Sequence, residues 1–255
     1  MQTLAGRTAV FAGASGGDGR YSVKALCAGG MNVVIMTHNV SQAERLIAEV
    51  KAADLPGDCV YFSGGNGLAA AEENAAVYAD MAKHFGSIDV VISNTGANGR
   101  IDSIESLTDR DLLESLDHLV VGPFKMLQTA LPYLKQSRAP RVIFMTTVEG
   151  VHGGTHESLA NAVAKGAVMS LALNAASRLA PFGINVNCIA KGAITRVEGV
   201  APGAPDPNDC IPHIPLGRVG SPADLAGVIA FLASEESSYI TGQVIELSGG
   251  LNLGR

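Results

Sequence analysis

Short apolar runs recur along the chain at Thr8–Ala12, Asn32–Met36, Cys59–Phe62, Ile88–Ser93, Arg141–Met145, Ile184–Ile189 and Gln243–Leu247. Each has strand length and is apolar without strict alternation, the pattern of strands buried on both faces. Between them lie Ser41–Ala52, Ala69–Phe85, Asp109–Gln136, Leu159–Leu179 and Pro222–Ala233, long enough for helices and with apolar residues three or four apart. Thr108 and Ser221 precede two of these segments and read as N-caps, the second with Pro222 at the first helical position. Alternating strand and helix imply right-handed crossovers and a parallel sheet covered on both faces. The expected fold is therefore a doubly wound α/β domain of about seven strands, in one unit over residues 1–255. Thr195–Pro215 carries five prolines, cannot continue a helix, and reads as a lid over the crevice at the carboxyl ends of the strands.

Composition narrows the function classes. The chain of 255 residues is 47% hydrophobic and 16% charged, with 18 basic against 24 acidic residues and a net charge of −6. With no basic run, nucleic acid and anionic membrane surfaces are not expected partners. Cys27, Cys59, Cys188 and Cys210 lie far apart, without zinc-ligand spacing, and read as reduced thiols of a cytoplasmic protein with no metal site. Glycines break the first apolar run, so neither a signal peptide nor a membrane span is expected.

Candidate chemistry starts at Ala12–Gly19, a glycine-rich loop between the first strand and a helix. Its backbone N–H groups can approach a pyrophosphate at the helix N-terminus. With Gly13, Gly17 and Gly19 on the glycines of T-G-x-x-x-G-x-G, the chain resembles the short-chain dehydrogenase/reductase family. Ser93-Asn94-Thr95-Gly96 matches N-N-A-G, Ile184–Gly192 matches I-R-V-N-x-I-x-P-G, and Pro215–Pro222 with Tyr239–Gln243 resembles the family's C-terminal third. The resemblance spans nearly the whole chain. It implies a nicotinamide cofactor held by Gly13, Ser15, Gly17, Asp18, Gly19, Asn94, Gly96, Lys165, Gly192 and Ile194, a small-molecule substrate, and a homotetramer.

Several positions depart from the family. Asp18 replaces an apolar residue beside the cofactor; a carboxylate about 5 Å from a phosphate costs on the order of 3 kcal/mol at an effective dielectric near 20, unless Arg20 or Lys24 neutralises it. At the end of the second strand, Thr37, His38 and Asn39 stand where an NAD enzyme carries an acid, which favours NADP over NAD. Gly64–Gly67 replaces the acidic segment that meets the adenine. Lys191 replaces a proline next to Gly192, close to where the nicotinamide amide rests, and is free to bind an anion or to face solvent.

The family's Y-x-x-x-K is Asn161-Ala162-Val163-Ala164-Lys165 here, so the lysine is kept and the proton-transferring tyrosine is an amide with no usable pKa. The family's serine falls on Thr147, or on Thr146 after a one-residue shift, and its helix-four asparagine on Leu119. Glu149, His152, His156 and Glu157 lie on the loop before the fifth helix, and the proton would come from His152, His156 or water. These residues support an NADP-preferring oxidoreductase acting on a small carbonyl or conjugated enone with an altered proton path. Two alternatives stay open: a non-redox lyase, isomerase or hydrolase reusing the cleft, and a binding protein without catalysis.

Overall fold

The computed structural model describes residues 4–37, 39–62, 71–96, 103–154, 157–195 and 206–253. Seven parallel strands form one sheet: β1 (Thr8–Ala12), β2 (Asn32–Met36), β3 (Cys59–Tyr61), β4 (Val90–Ser93), β5 (Arg141–Thr147), β6 (Asn185–Lys191) and β7 (Val244–Leu247), in the order β3-β2-β1-β4-β5-β6-β7. The doubly wound expectation holds. Successive strand residues feed opposite layers. Phe11, Ile35, Ile92 and Met145 pack under α1 (Gly19–Ala28), α2 (Val40–Ala52) and α8 (Pro222–Ala233). Val10, Val34, Val91 and Phe144 pack under α3 (Ala71–Phe85), α5 (Gly122–Leu134) and α7 (Leu159–Leu179).

Local chemistry explains the element ends. Thr108 and Ser221 each accept a hydrogen bond from the backbone N–H three residues on, and Asp111 and Asp224 return one, forming capping boxes. The single helix expected over Asp109–Gln136 is interrupted: α4 (Asp109–Leu116) runs into a π-helical turn at Asp117–Val121 before α5 begins. Pro123 has no N–H to donate to Leu119, and the N–H of Gly122 reaches back five residues to the Asp117 carbonyl, so the ladder widens there. A short helix, α6 (Val148–His152), follows β5 where a loop was expected. Part of the expected lid, 196–205, lies outside the described residues; Pro207–His213 forms a 3-10 turn.

Leu159–Phe182 has the length and apolarity to cross a membrane, yet Val168, Ala172 and Ala176 of α7 are buried against the sheet as core. All four cysteines are free. The α1–α8 layer depends on Leu26, which is fully buried. Leu26→Ala is expected to lower stability by about 2–5 kcal/mol in urea unfolding, since the space between two helices and the sheet cannot collapse fully.

Candidate active site

Strand order reverses between β1 and β4, and the crevice opens there at their carboxyl ends. The chain leaves β1 through Gly13 at φ +75°, where a Cβ would stand 2.3 Å from the Asn94 carbonyl oxygen; only glycine allows this approach. A Cβ on Gly19 would lie 2.2 Å from the Gly13 oxygen, so α1 starts directly against the loop. A cavity of about 360 Å³ lies over this edge. Its walls are Gly17 and Asp18, then Thr95 and Gly96 after β4, Thr147–Glu149 after β5, Glu157, Asn161 and Lys165, and Lys191–Thr195 after β6. Asp206, Pro207 and Cys210 of the proline-rich stretch, with Leu251, complete it.

Asn161 and Lys165 are one turn apart on α7 and share the cavity wall with Thr147. Thr146 does not compete for that place, because its hydroxyl is buried and donates to the Lys165 carbonyl at 2.7 Å. Ser158 caps α7 by accepting from the Asn161 N–H at 3.1 Å, which fixes the first turn. Lys165 Nζ donates to the Thr95 and Met145 carbonyls at 2.7 and 3.1 Å, leaving one of its three N–H groups for a ligand. Burial, then the neighbouring Lys191 charge, pushes Lys165 down to about 8.

A residue that the tyrosine–lysine pattern does not predict stands at the centre. Glu157 Oε2 accepts from Asn161 Nδ2 at 2.6 Å and from the Thr147 hydroxyl at 3.2 Å, while its own N–H donates to Glu149 at 2.8 Å. Burial, reinforced by the Glu149 carboxylate, raises its pKa, against the opposing pull of Lys165 and the two hydrogen bonds. Asn161 Oδ1 is buried without a hydrogen-bond partner among the described residues. His152 is not on the cavity wall; its Nε2 lies 2.5 Å from Glu246 Oε1 at the end of β7. His156 lies outside the described residues, as do His38 and Gly64–Gly67. Leu119, at the family's asparagine position, is fully buried in the π-helical turn.

The charged departures also find each other. Lys191 Nζ donates to Asp18 Oδ2 at 2.9 Å and to Asn94 Oδ1 at 3.1 Å, and Asn94 Nδ2 donates to Asp18 Oδ1 at 2.8 Å. Burial acts to raise Asp18, but Lys191 and the hydrogen bonds outweigh it and hold the carboxyl below its ordinary value. Arg20 and Lys24, the expected neutralisers, pair with Glu49 on α2 instead, because their side chains run along the outer face of α1. Lys191 is thus neither a free anion binder nor a solvent-facing charge.

The residues fit a nicotinamide dinucleotide along much of the crevice. Gly17 has φ +50° with open space where a Cβ would project, the acid at the N-cap of α1, Asp18, is compensated by Lys191 and no other occupies the first turn, and Lys165 keeps a free donor. Ser15 donates to the Thr37 hydroxyl at 2.9 Å beside a cleft of about 120 Å³ lined by Arg20, Gln42, Arg45 and Glu49. Gly192 and Ile194 lie on the cavity wall, where the resemblance puts the carboxamide.

The unfolded chain binds more protons at Lys165 than the native state between about pH 8 and its ordinary value near 10.5, so stability rises with pH across that window. Urea unfolding of wild type and Lys165→Met should show their stability difference shifting in favour of wild type by up to about 3 kcal/mol over this range. A flat difference would mean that the buried ammonium carries no desolvation penalty.

Comparison with known proteins agrees with this geometry. A family model described as enoyl-(acyl carrier protein) reductase matches residues 13–252. The 3-oxoacyl-[acyl-carrier-protein] reductase of Staphylococcus aureus (strain N315) is 32% identical over 247 residues, covering 96% of this chain and 98% of that protein. L-fucose dehydrogenase of Oryctolagus cuniculus is 30% identical over 256 residues, covering 98% of this chain and 86% of that protein. The crystal structure of a 3-oxoacyl-[acyl-carrier protein] reductase from Brucella melitensis superposes with a TM-score of 0.86 at 25% identity, covering 99% of this chain and 93% of that one. With its seven-stranded parallel sheet, its glycine loop and matches along almost its full length, the chain belongs to the short-chain dehydrogenase/reductase family of nicotinamide-dependent oxidoreductases.

Proposed function

We propose that the protein is an NADP(H)-dependent reductase of a small carbonyl or conjugated enone in which Glu157 takes over the proton chemistry. The observation that carries this reading is the Glu157 carboxyl, within hydrogen-bond distance of both Thr147 and Asn161 on the wall they share with Lys165. The nicotinamide, when bound, supplies a hydride. Asn161, through the Nδ2 hydrogen that Glu157 does not take, donates to the substrate oxygen; Thr147 holds the Glu157 carboxyl beside it, and Lys165 offers its free N–H to the ribose side. Reduction of a C=O bond consumes one hydride and one proton. Glu157, whose pKa burial and then Glu149 raise above its ordinary value, holds that proton within reach of the oxygen that Asn161 positions. Histidine is not needed for the step.

Arg45 beside Ser15, with no acid at Thr37, supports NADP over NAD, since a guanidinium attracts the extra phosphate; Arg20 in the same cleft is paired with Glu49. The names of the relatives make 3-oxoacyl thioesters the first substrates to try. Exposed Leu113, Phe124, Val163 and Leu173 on α4, α5 and α7 support a homo-oligomer, a homotetramer by resemblance. A second reading, acid–base catalysis without a dinucleotide, is favoured by the paired carboxyl groups of Glu149 and Glu157.

Calorimetric titration of nucleotide-free protein should give micromolar NADPH affinity and an NADH Kd about tenfold or more weaker. No binding at millimolar NADPH overturns the redox reading in favour of the second. With NADPH and a panel of 3-oxoacyl thioesters and enones, kcat should fall as pH rises through the Glu157 titration, because only the protonated carboxyl donates. Glu157→Gln should lower kcat about 10²–10⁴-fold and flatten that limb, while leaving NADPH affinity within about twofold. Unchanged kcat in Glu157→Gln would remove Glu157 from the mechanism.

A further inference from the structure

Asp18 and Lys191 stand where the resemblance places an apolar residue and a proline, both beside the cofactor. In this chain each is charged, and although 173 residues separate them in sequence they form one ion pair at 2.9 Å. Asn94 bonds both partners and closes a three-membered ring of side chains. The ring ties together the segments after β1, β4 and β6, the three strand ends that frame the crevice. With side-chain exposures of 18% and 22%, the pair is shielded from most solvent screening, and both residues line the cavity. Other cations on α1 do not substitute for Lys191, because Arg20 and Lys24 face Glu49.

We propose that Asp18 and Lys191 form an ionic clasp that sets how tightly the crevice takes a nicotinamide dinucleotide, with Lys191 as its attracting half and Asp18 as its opposing half. The proposal rests on the reading of the protein as dinucleotide-dependent. The diphosphate of such a ligand is dianionic. While Asp18 holds Lys191, the ammonium is compensated and the crevice presents a closed dipole. Removing the charge of Asp18 alone leaves an uncompensated cation in the crevice; removing that of Lys191 alone leaves an uncompensated carboxylate. The two changes therefore act on affinity in opposite directions, whereas a merely structural contact would weaken binding whichever partner is lost.

The test is calorimetric titration of the full chain, freed of nucleotide, with NADPH. Asp18→Asn should bind about tenfold tighter than wild type, Lys191→Met about tenfold weaker, and the double variant within about threefold of wild type. Lys191→Arg, which keeps the charge, should bind as wild type does, and thermal unfolding of the same samples identifies any variant that fails to fold. High salt should shrink the gain of Asp18→Asn, since the freed charge is the one exposed to counterions. Weakening in both single variants, or equal affinity in all, overturns the clasp and leaves the dinucleotide reading intact. NADPH binding by none of the proteins, Asp18→Asn included, overturns both.

Discussion

The upper edge of the molecule depends on one close approach, that of the Gly13 backbone to the Asn94 carbonyl. Parallel strands leave their carboxyl ends open, and at the point where strand order reverses two loops diverge into separate layers. The missing side chain at Gly13 lets these loops meet before diverging. Asn94 is thereby held over the crevice with its amide facing Asp18 and Lys191, and the next carbonyl, that of Thr95, is presented to Lys165. A wider spacing would disconnect the glycine loop from the helix that carries Asn161 and Lys165. Position along the sheet edge, rather than any single side chain, makes the site.

The site is built of charges that are individually unfavourable and jointly compensated. Lys165 is drawn into a buried position by two carbonyls, Lys191 is neutralised by Asp18, and the Glu157 carboxylate finds an amide and a hydroxyl. Lys165 is pushed down by burial and by Lys191, and Glu157 is pushed up by burial and by Glu149, the circumstance under which side chains acquire altered acid–base properties. With Asn161 where the resemblance places a tyrosine, a hydroxyl, an amide, a carboxyl and an ammonium group converge on one cavity.

What the sequence disclosed, it disclosed through periodicity and local motifs. The strands, the capping Thr108 and Ser221, the glycine loop and the one-turn spacing of Asn161 and Lys165 are all local signals. The π-helical turn was hidden because apolar spacing runs through it; Pro123, immediately after Gly122, was the available clue. Histidine is the expected acid by its solution pKa, yet His152 is directed to Glu246, while Glu157, an ordinary surface residue by composition, faces inward to Thr147 and Asn161. The pairing of Asp18 with Lys191 could not be read from spacing at all, since only the winding of the sheet brings them together. Two opposite charges at neighbouring cofactor positions were the signal, and they acquire meaning only when taken jointly.

That pairing also constrains how such a chain can change over generations. Returning either position to an apolar residue strands the other as a largely buried, unmatched charge, which is far more damaging than replacing the pair at once. A lineage carrying both is thus separated from one carrying neither by a valley that single substitutions must cross. The milder single step is an amide at position 18, which gives up the charge but can still accept the Lys191 hydrogen bond, so the order of substitutions matters.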